Sequence, residues 1–172
     1  MPITSDLFKK IGRSAAGPVC VIAAFHRSTD VIVGLTVSSF VTLSFDPPMV
    51  MFALQQNTDS YASIVSSNAF GISLLDRSQA HVARRFARKG REKIDSTKFA
   101  HGKTLHCPLI PDALAHIECS TSQNYSSGDH AIVIGIVEDA EIRSGEPLLY
   151  FGARFGTFLD LAAAETYAVQ PV

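Results

Sequence analysis

From Val19 to Phe151 the sequence is cut into short apolar, β-branched runs by turn-forming residues, and this punctuation limits the fold more than any other feature. Val19–Phe25 and Val31–Leu35 flank Ser28-Thr29-Asp30, which reads as a hairpin turn. Phe40–Phe45 alternates apolar and hydroxyl residues at period two and stops at Asp46-Pro47-Pro48, a hard turn. Met49–Leu54 reads as a short buried strand and Phe70–Leu75 as another. Ile117–Ser122, Ala131–Val137 and Leu148–Phe151 follow, with turns at Ser126-Ser127-Gly128-Asp129 and Ser144-Gly145. Strands this short, joined this tightly, predict a mainly β protein: an antiparallel barrel with peripheral helices. Strand–helix alternation between residues 49 and 86 leaves an α/β sheet as the alternative.

Three segments have helical character. Thr4-Ser5-Asp6 offers capping side chains to a helix carrying Leu7, Phe8 and Ile11 on one face, with Gly17-Pro18 expected to end it. Ser60–Val65 fits one or two turns. From Gln79 the spacing of Val82, Ala83 and Phe86 is helical, capped by Asp76 or Ser78. No repeat or linker divides the 172 residues, so one domain over 1–172 is expected. Fifteen basic residues against sixteen acidic ones, with an isoelectric point near 6.6, argue against attraction of the whole surface to nucleic acid or membrane. The apolar runs fall far short of the ~18 residues of a membrane span. Mean hydropathy is +0.18, which favours a covered subunit interface. Met1-Pro2-Ile3-Thr4-Ser5-Asp6 has no secretory character, and Cys20, Cys107 and Cys119 are widely spaced, so a cytoplasmic protein with reduced thiols is expected.

Dinucleotide-fold, P-loop and zinc-protease signatures are absent. His106-Cys107 with His116 and Cys119 makes a poor zinc pattern, and no metal is expected. Three stretches remain. In Gly34-Leu35-Thr36-Val37-Ser38-Ser39-Phe40 the glycine permits close approach to a planar ligand while hydroxyls and amides line it; taken alone, the stretch reads rather as an ordinary strand with solvated hydroxyls. Residues Arg84 to Lys93 hold six of the fifteen basic residues, either a field for a phosphate-bearing ligand or a solvated helix face. Gly128-Asp129-His130 puts a histidine at a strand mouth, to meet a ligand or to be satisfied by Asp129.

Taken together and in order, Gly34–Phe40, Ser44-Phe45-Asp46-Pro47-Pro48 and Gly128-Asp129-His130 resemble the flavin reductase-like family, the small NAD(P)H:flavin oxidoreductases that supply two-component monooxygenases. Ala83-Arg84-Arg85-Phe86-Ala87 and the segment from Pro147 to Phe155 are similar to that family's helix and closing strand, so the likeness runs from about Gly17 to Phe155. The resemblance implies an FMN-binding split β-barrel, a homodimer, and a flavin (FMN or FAD) near the dimer interface, reduced by NADH or NADPH. Thr36, Val37, Ser38 and Ser39 match the segment along the isoalloxazine ring, and Ala53 and Leu54 the strand end beside it. Asn57, Thr58 and Ser60 match the loop at the ribityl phosphate, with Phe86, Ala87, Arg88 and Lys89 as a second phosphate segment. His130 matches the residue near the nicotinamide and is the catalytic candidate. Asn57 stands where serine is common and Gln56 where a basic residue is frequent, and the tail after Phe158 has no counterpart.

A site of this kind needs no nucleophile, because the cofactor carries the hard chemistry and the protein orients the two rings. Backbone N–H groups near Ser38 and Ser39 are then expected to face negative charge on the reduced ring. The function implied is transfer of hydride from a nicotinamide cofactor to FMN or FAD, with reduced flavin passed to a separate oxygenase. The alternatives are a flavin- or haem-binding carrier or sensor, and a pyridoxamine-phosphate-oxidase-like oxidase on the same fold.

Overall fold

A computed structural model describes residues 3–160; of the tail after Phe158, residues 161–172 lie outside them. Helix α1 (Ser5–Arg13) opens the chain and is followed by β1 (Gly17–Pro18), β2 (Cys20–Phe25) and β3 (Ile32–Val37). Next come β4 (Val41–Phe45), β5 (Pro48–Gln55), α2 (Tyr61–Ser66) and β6 (Ala69–Leu74). Helices α3 (Ala80–Phe86) and α4 (Glu92–Asp95) lead to the short pair β7 (Ala100–His101) and β8 (Pro108–Leu109). The long strands β9 (Ala115–Ser127) and β10 (His130–Ile142) precede β11 (Leu149–Phe151) and β12 (Arg154–Gly156).

Seven strands form one antiparallel sheet in the order β3-β2-β6-β9-β10-β5-β4, as the short apolar runs require, and the α/β alternative falls away. The sheet curls because β9 and β10 carry irregularities between Ile134 and Gly135 and between Val137 and Asp139. At Gly135 a Cβ would lie 2.5 Å from the Phe70 ring and 2.8 Å from Cys119 Cβ, so only glycine lets the strand bend over that core. The Ser39 side chain then joins the two sides. Its hydroxyl donates to the Ala53 carbonyl at 2.8 Å and accepts the Ala53 N–H at 3.0 Å, standing in for a strand partner between the end of β3 and β5. The result is the split barrel.

Strand β2 reads as a continuous apolar run because both of its faces are buried. Cys20, Ile22 and Ala24 point into the barrel with Phe52, Phe70 and Val133, while Val21 points outward with Val19 against Leu75, Ala83 and Phe86. Phe52 and Phe70 meet edge-on, with centroids 5.3 Å apart. Strand β5 alternates instead: Val50, Phe52 and Leu54 are buried, and Met49, Met51 and Ala53 only partly so. It is longer than the expected run and not uniformly buried.

Two further expectations are corrected. Helix α1 stops at Arg13, capped by Thr4 Oγ1 on the Leu7 N–H, and Gly17-Pro18 pairs with β11 rather than terminating the helix. None of its residues is buried. Strands β9 and β10 run well past the expected segments, since the polar stretch from Gln123 to Ser127 pairs with β10 and leaves only Gly128-Asp129 as the turn. The His–Cys stretch is dispersed: Cys119 lies in the barrel core, whereas His116 Nε2 meets the Ile110 carbonyl at 2.7 Å. No group among the described residues is arranged to hold a metal. Burial pushes the Cys20 and Cys107 thiols up to about 12 and raises that of Cys119, so none is poised as a nucleophile.

Candidate functional site

A cavity of about 420 Å³ opens where β3, β5, β10 and the end of α3 converge. Leu35, Thr36 and Val37 at the end of β3, continued by Ser38 and Ser39, form one wall. Ala53, Leu54 and Gln55 of β5 form the facing wall, and His130, the first residue of β10, stands beside Gln55 in register. Asn57, Thr58 and Asp59 close the polar end together with Phe86, Ala87, Arg88, Lys89 and Lys93.

Most of the polar side chains are already committed to the frame. Thr36 Oγ1 donates to the Ala83 carbonyl at 2.8 Å and pins α3 against β3. The Ser39 hydroxyl is spent on Ala53. Of the three hydroxyls expected to meet a ligand from this segment, only that of the exposed Ser38 is uncommitted among the described residues. Gly34 also serves the frame: a Cβ there would stand 3.1 Å from the Ile22 carbonyl and from the Phe86 ring, so its bare backbone admits Phe86 and not a ligand. Phe86 is itself fully buried and stacks edge-on to Phe99, backing the cavity from the core.

At the polar end two loops are tied together. The Gly90 N–H donates to Asp59 Oδ2 at 2.8 Å, and Lys89 Nζ donates to Asn57 Oδ1 at 3.3 Å. Thr58 Oγ1 donates to the Gln55 carbonyl. Ser60, expected at the phosphate, does not line the cavity: it is buried and donates to the Gly34 carbonyl at 3.1 Å. The basic segment divides. Arg88, Lys89 and Lys93 reach the cavity, Arg84 lies over the Phe155 ring, and Arg85 donates to the Ser96 carbonyl.

The hairpin tip is fastened as well. The Gln56 amide donates to the His130 carbonyl at 2.9 Å, and the Gln56 N–H to the Asp129 carbonyl at 3.0 Å. His130 Nδ1 is 2.7 Å from Asp129 Oδ1, a contact that by hydrogen bond and charge holds the Asp129 carboxyl below its usual range. A carboxylate only accepts, so Nδ1 carries the proton and Nε2 is the free ring nitrogen. Leu35, Gln55, Asp59 and Lys93 were not among the residues expected from sequence. Lys93 had a signal, its place in the basic run, while Asp59 sat unnoticed between the hydroxyls on either side.

The chain matches the sequence model described as "Flavin reductase like domain" over residues 12–159. It is 31% identical over 158 residues to the reductase component of the 4-nitrophenol 4-monooxygenase/4-nitrocatechol 2-monooxygenase of Rhodococcus opacus, covering 92% of this chain and 83% of that one. An NADH-dependent flavin reductase of a Rhodococcus species is 30% identical over 149 residues, covering 87% and 83%. Among solved structures, the NADH:FAD oxidoreductase SgcE6 of Streptomyces globisporus C-1027 superposes with a TM-score of 0.84 at 26% identity, covering 93% of this chain and 96% of that one.

Proposed function

The chain belongs to the flavin reductase-like family, and from that premise we propose that the cavity between β3, β5 and α3 is where it carries out NAD(P)H-dependent reduction of FMN or FAD, as the reductase of a two-component monooxygenase. The observation that carries the placement is the shape of the donor set. One end of the cavity is backbone, small hydroxyls and aliphatic side chains; the other gathers Arg88, Lys89 and Lys93. A flavin has the same two halves, a flat ring and a phosphate-bearing tail, and the volume is within the ~300–1,000 Å³ usual for ligand sites. A bound flavin supplies the ring that accepts hydride from the nicotinamide.

The chain's own contribution is placement and field. Thr36–Ser39 and Ala53-Leu54 line the ring end from two sides, held at fixed separation by the Ser39–Ala53 pair. Backbone N–H groups at Ser38 and Ser39 offer dipoles to developing negative charge. Asn57, Thr58, Arg88 and Lys89 hold the phosphate; Ser60 does so only indirectly, by fixing the loop to β3. His130, with Nδ1 held by Asp129, presents Nε2 to the nicotinamide carboxamide and so positions the donor ring.

We read residues 1–172 as one such domain working as a homodimer in the cytoplasm. Support for the dimer is the apolar surface left open. Val41, Leu43 and Phe45 of the edge strand β4 are exposed, Phe45 to 91%, and Leu7, Phe8 and Ile11 of α1 are exposed too. Support for the compartment is three free, buried cysteines. No described helix is long and apolar enough to cross a membrane. The test of function is NADH or NADPH with purified protein and FMN or FAD in air, followed at 340 nm. Flavin-dependent consumption is expected; a protein that binds flavin and leaves both nucleotides untouched is a carrier, and the reading falls.

A further inference from the structure

Resting on the flavin reading above, we propose that Lys93 is a phosphate-binding residue of this chain, the buried cation toward which the phosphomonoester of the flavin is drawn. Lys93 belongs to the four-residue helix α4, lies under the loop that carries Arg88 and Lys89, and lines the same cavity. It is 9% exposed, and among the described residues it is the one buried cation. Its ammonium donates to the Arg88 carbonyl at 2.8 Å, the only hydrogen bond it makes among them, so two N–H donors remain. A lysine taken out of water and left with one neutral acceptor is costly unless an anion joins it.

The neighbouring carboxylate does not meet that need. Asp59 already accepts the Gly90 N–H, and it is exposed. Burial pushes the Lys93 ammonium below the usual lysine range, with the Asp59 charge only opposing that effect. The charge count points the same way. Arg88, Lys89 and Lys93 against Asp59 leave two positive charges at the polar end, and a phosphomonoester carries about −1.5 to −2 at neutral pH. Arg88 and Lys89 are exposed, so water and salt screen them, while Lys93 is itself buried.

The test compares FMN with riboflavin, which has the same ring and no phosphate, by flavin fluorescence titration. The wild type is expected to bind FMN at least about tenfold more tightly than riboflavin, the scale of one charge-assisted contact. Lys93→Met should lose most of that preference while its riboflavin affinity stays within about twofold. Arg88→Ala with Lys89→Ala keeps the Arg88 carbonyl and Lys93, so it should weaken FMN binding yet still prefer FMN; this variant decides the matter if Lys93→Met does not fold. Loss of both ligands together in a folded Lys93→Met, loss of neither, or equal affinities in the double variant would overturn the assignment. A wild type that binds both flavins equally overturns Lys93 and the phosphate placement with it, whereas one that binds neither overturns the flavin reading itself.

Discussion

His130 and Glu118 show how much the partners of one side chain decide. His130 Nδ1 is occupied by Asp129, which leaves Nε2 for a ligand and makes positioning its natural role. His130→Ala is therefore expected to raise KM for the nicotinamide cofactor about 5–30-fold, the equivalent of one or two kcal/mol, with flavin affinity unchanged. Steady-state kinetics over pH 5–9 checks this, and a fall in kcat with loss of a limb of the pH–rate profile would assign it the role of an acid instead. Glu118 is a buried carboxylate that no sequence signal marked. Burial raises its pKa, but N–H donors from Thr104, Cys107 and Leu105 at 2.9, 3.1 and 2.8 Å, with the Cys107 thiol, outweigh that and hold it below the usual range. Gly102 makes room for it, since a Cβ there would lie about 2 Å from the carboxylate. A carboxyl depressed in the folded state adds stability in full above its unfolded value, near 4.3, and loses it as pH falls through the folded value. Glu118→Gln turns an amide NH₂ toward those donors and should cost about 1–3 kcal/mol at pH 7 by urea unfolding. The deficit should shrink at pH 3; an equal deficit at both pH values would show that charge is not what Glu118 contributes.

The elements differ in how openly the sequence announces them. Strands buried on one or both faces were legible: β2, β3, β5 and β6 stand close to where their apolar runs begin and end. The outer halves of β9 and β10 were not, because Gln123–Ser127 and Glu138–Ile142 are mostly polar and owe their strand state to pairing with each other's partner strand. The site segments were legible as motifs, yet the use of each hydroxyl was not, since an acceptor 14 or 47 residues away leaves no local trace. Thr36 and Ser39 read as ligand contacts and turn out to bind the frame. Ser39→Ala removes a donor and an acceptor at the barrel's joint and should cost about 1–3 kcal/mol, with flavin affinity falling as the two walls lose their fixed spacing. Thermal unfolding and a flavin titration on the one sample check both; a variant with unchanged affinity would mean that β3 and β5 hold their spacing without this joint.

At the scale of the whole molecule, the barrel buries its own core and leaves Val41, Leu43 and Phe45 exposed on an edge strand. Sedimentation at micromolar concentration should give about twice the chain mass of 18.5 kDa. Leu43→Glu with Phe45→Glu should give a monomer, and a wild-type monomer that still reduces flavin would remove the interface from the account. The central claim is that the cavity at the mouth of the barrel holds the flavin ring. Ser38 is the place to test it, being exposed at the wall with its side chain uncommitted among the described residues, so that a bulky replacement fills the cavity without entering the core. The measurement is an FMN titration of Ser38→Phe beside the wild type, with circular dichroism on both. Loss of FMN binding with an unchanged spectrum is predicted; a folded Ser38→Phe that titrates as the wild type does would put the flavin elsewhere.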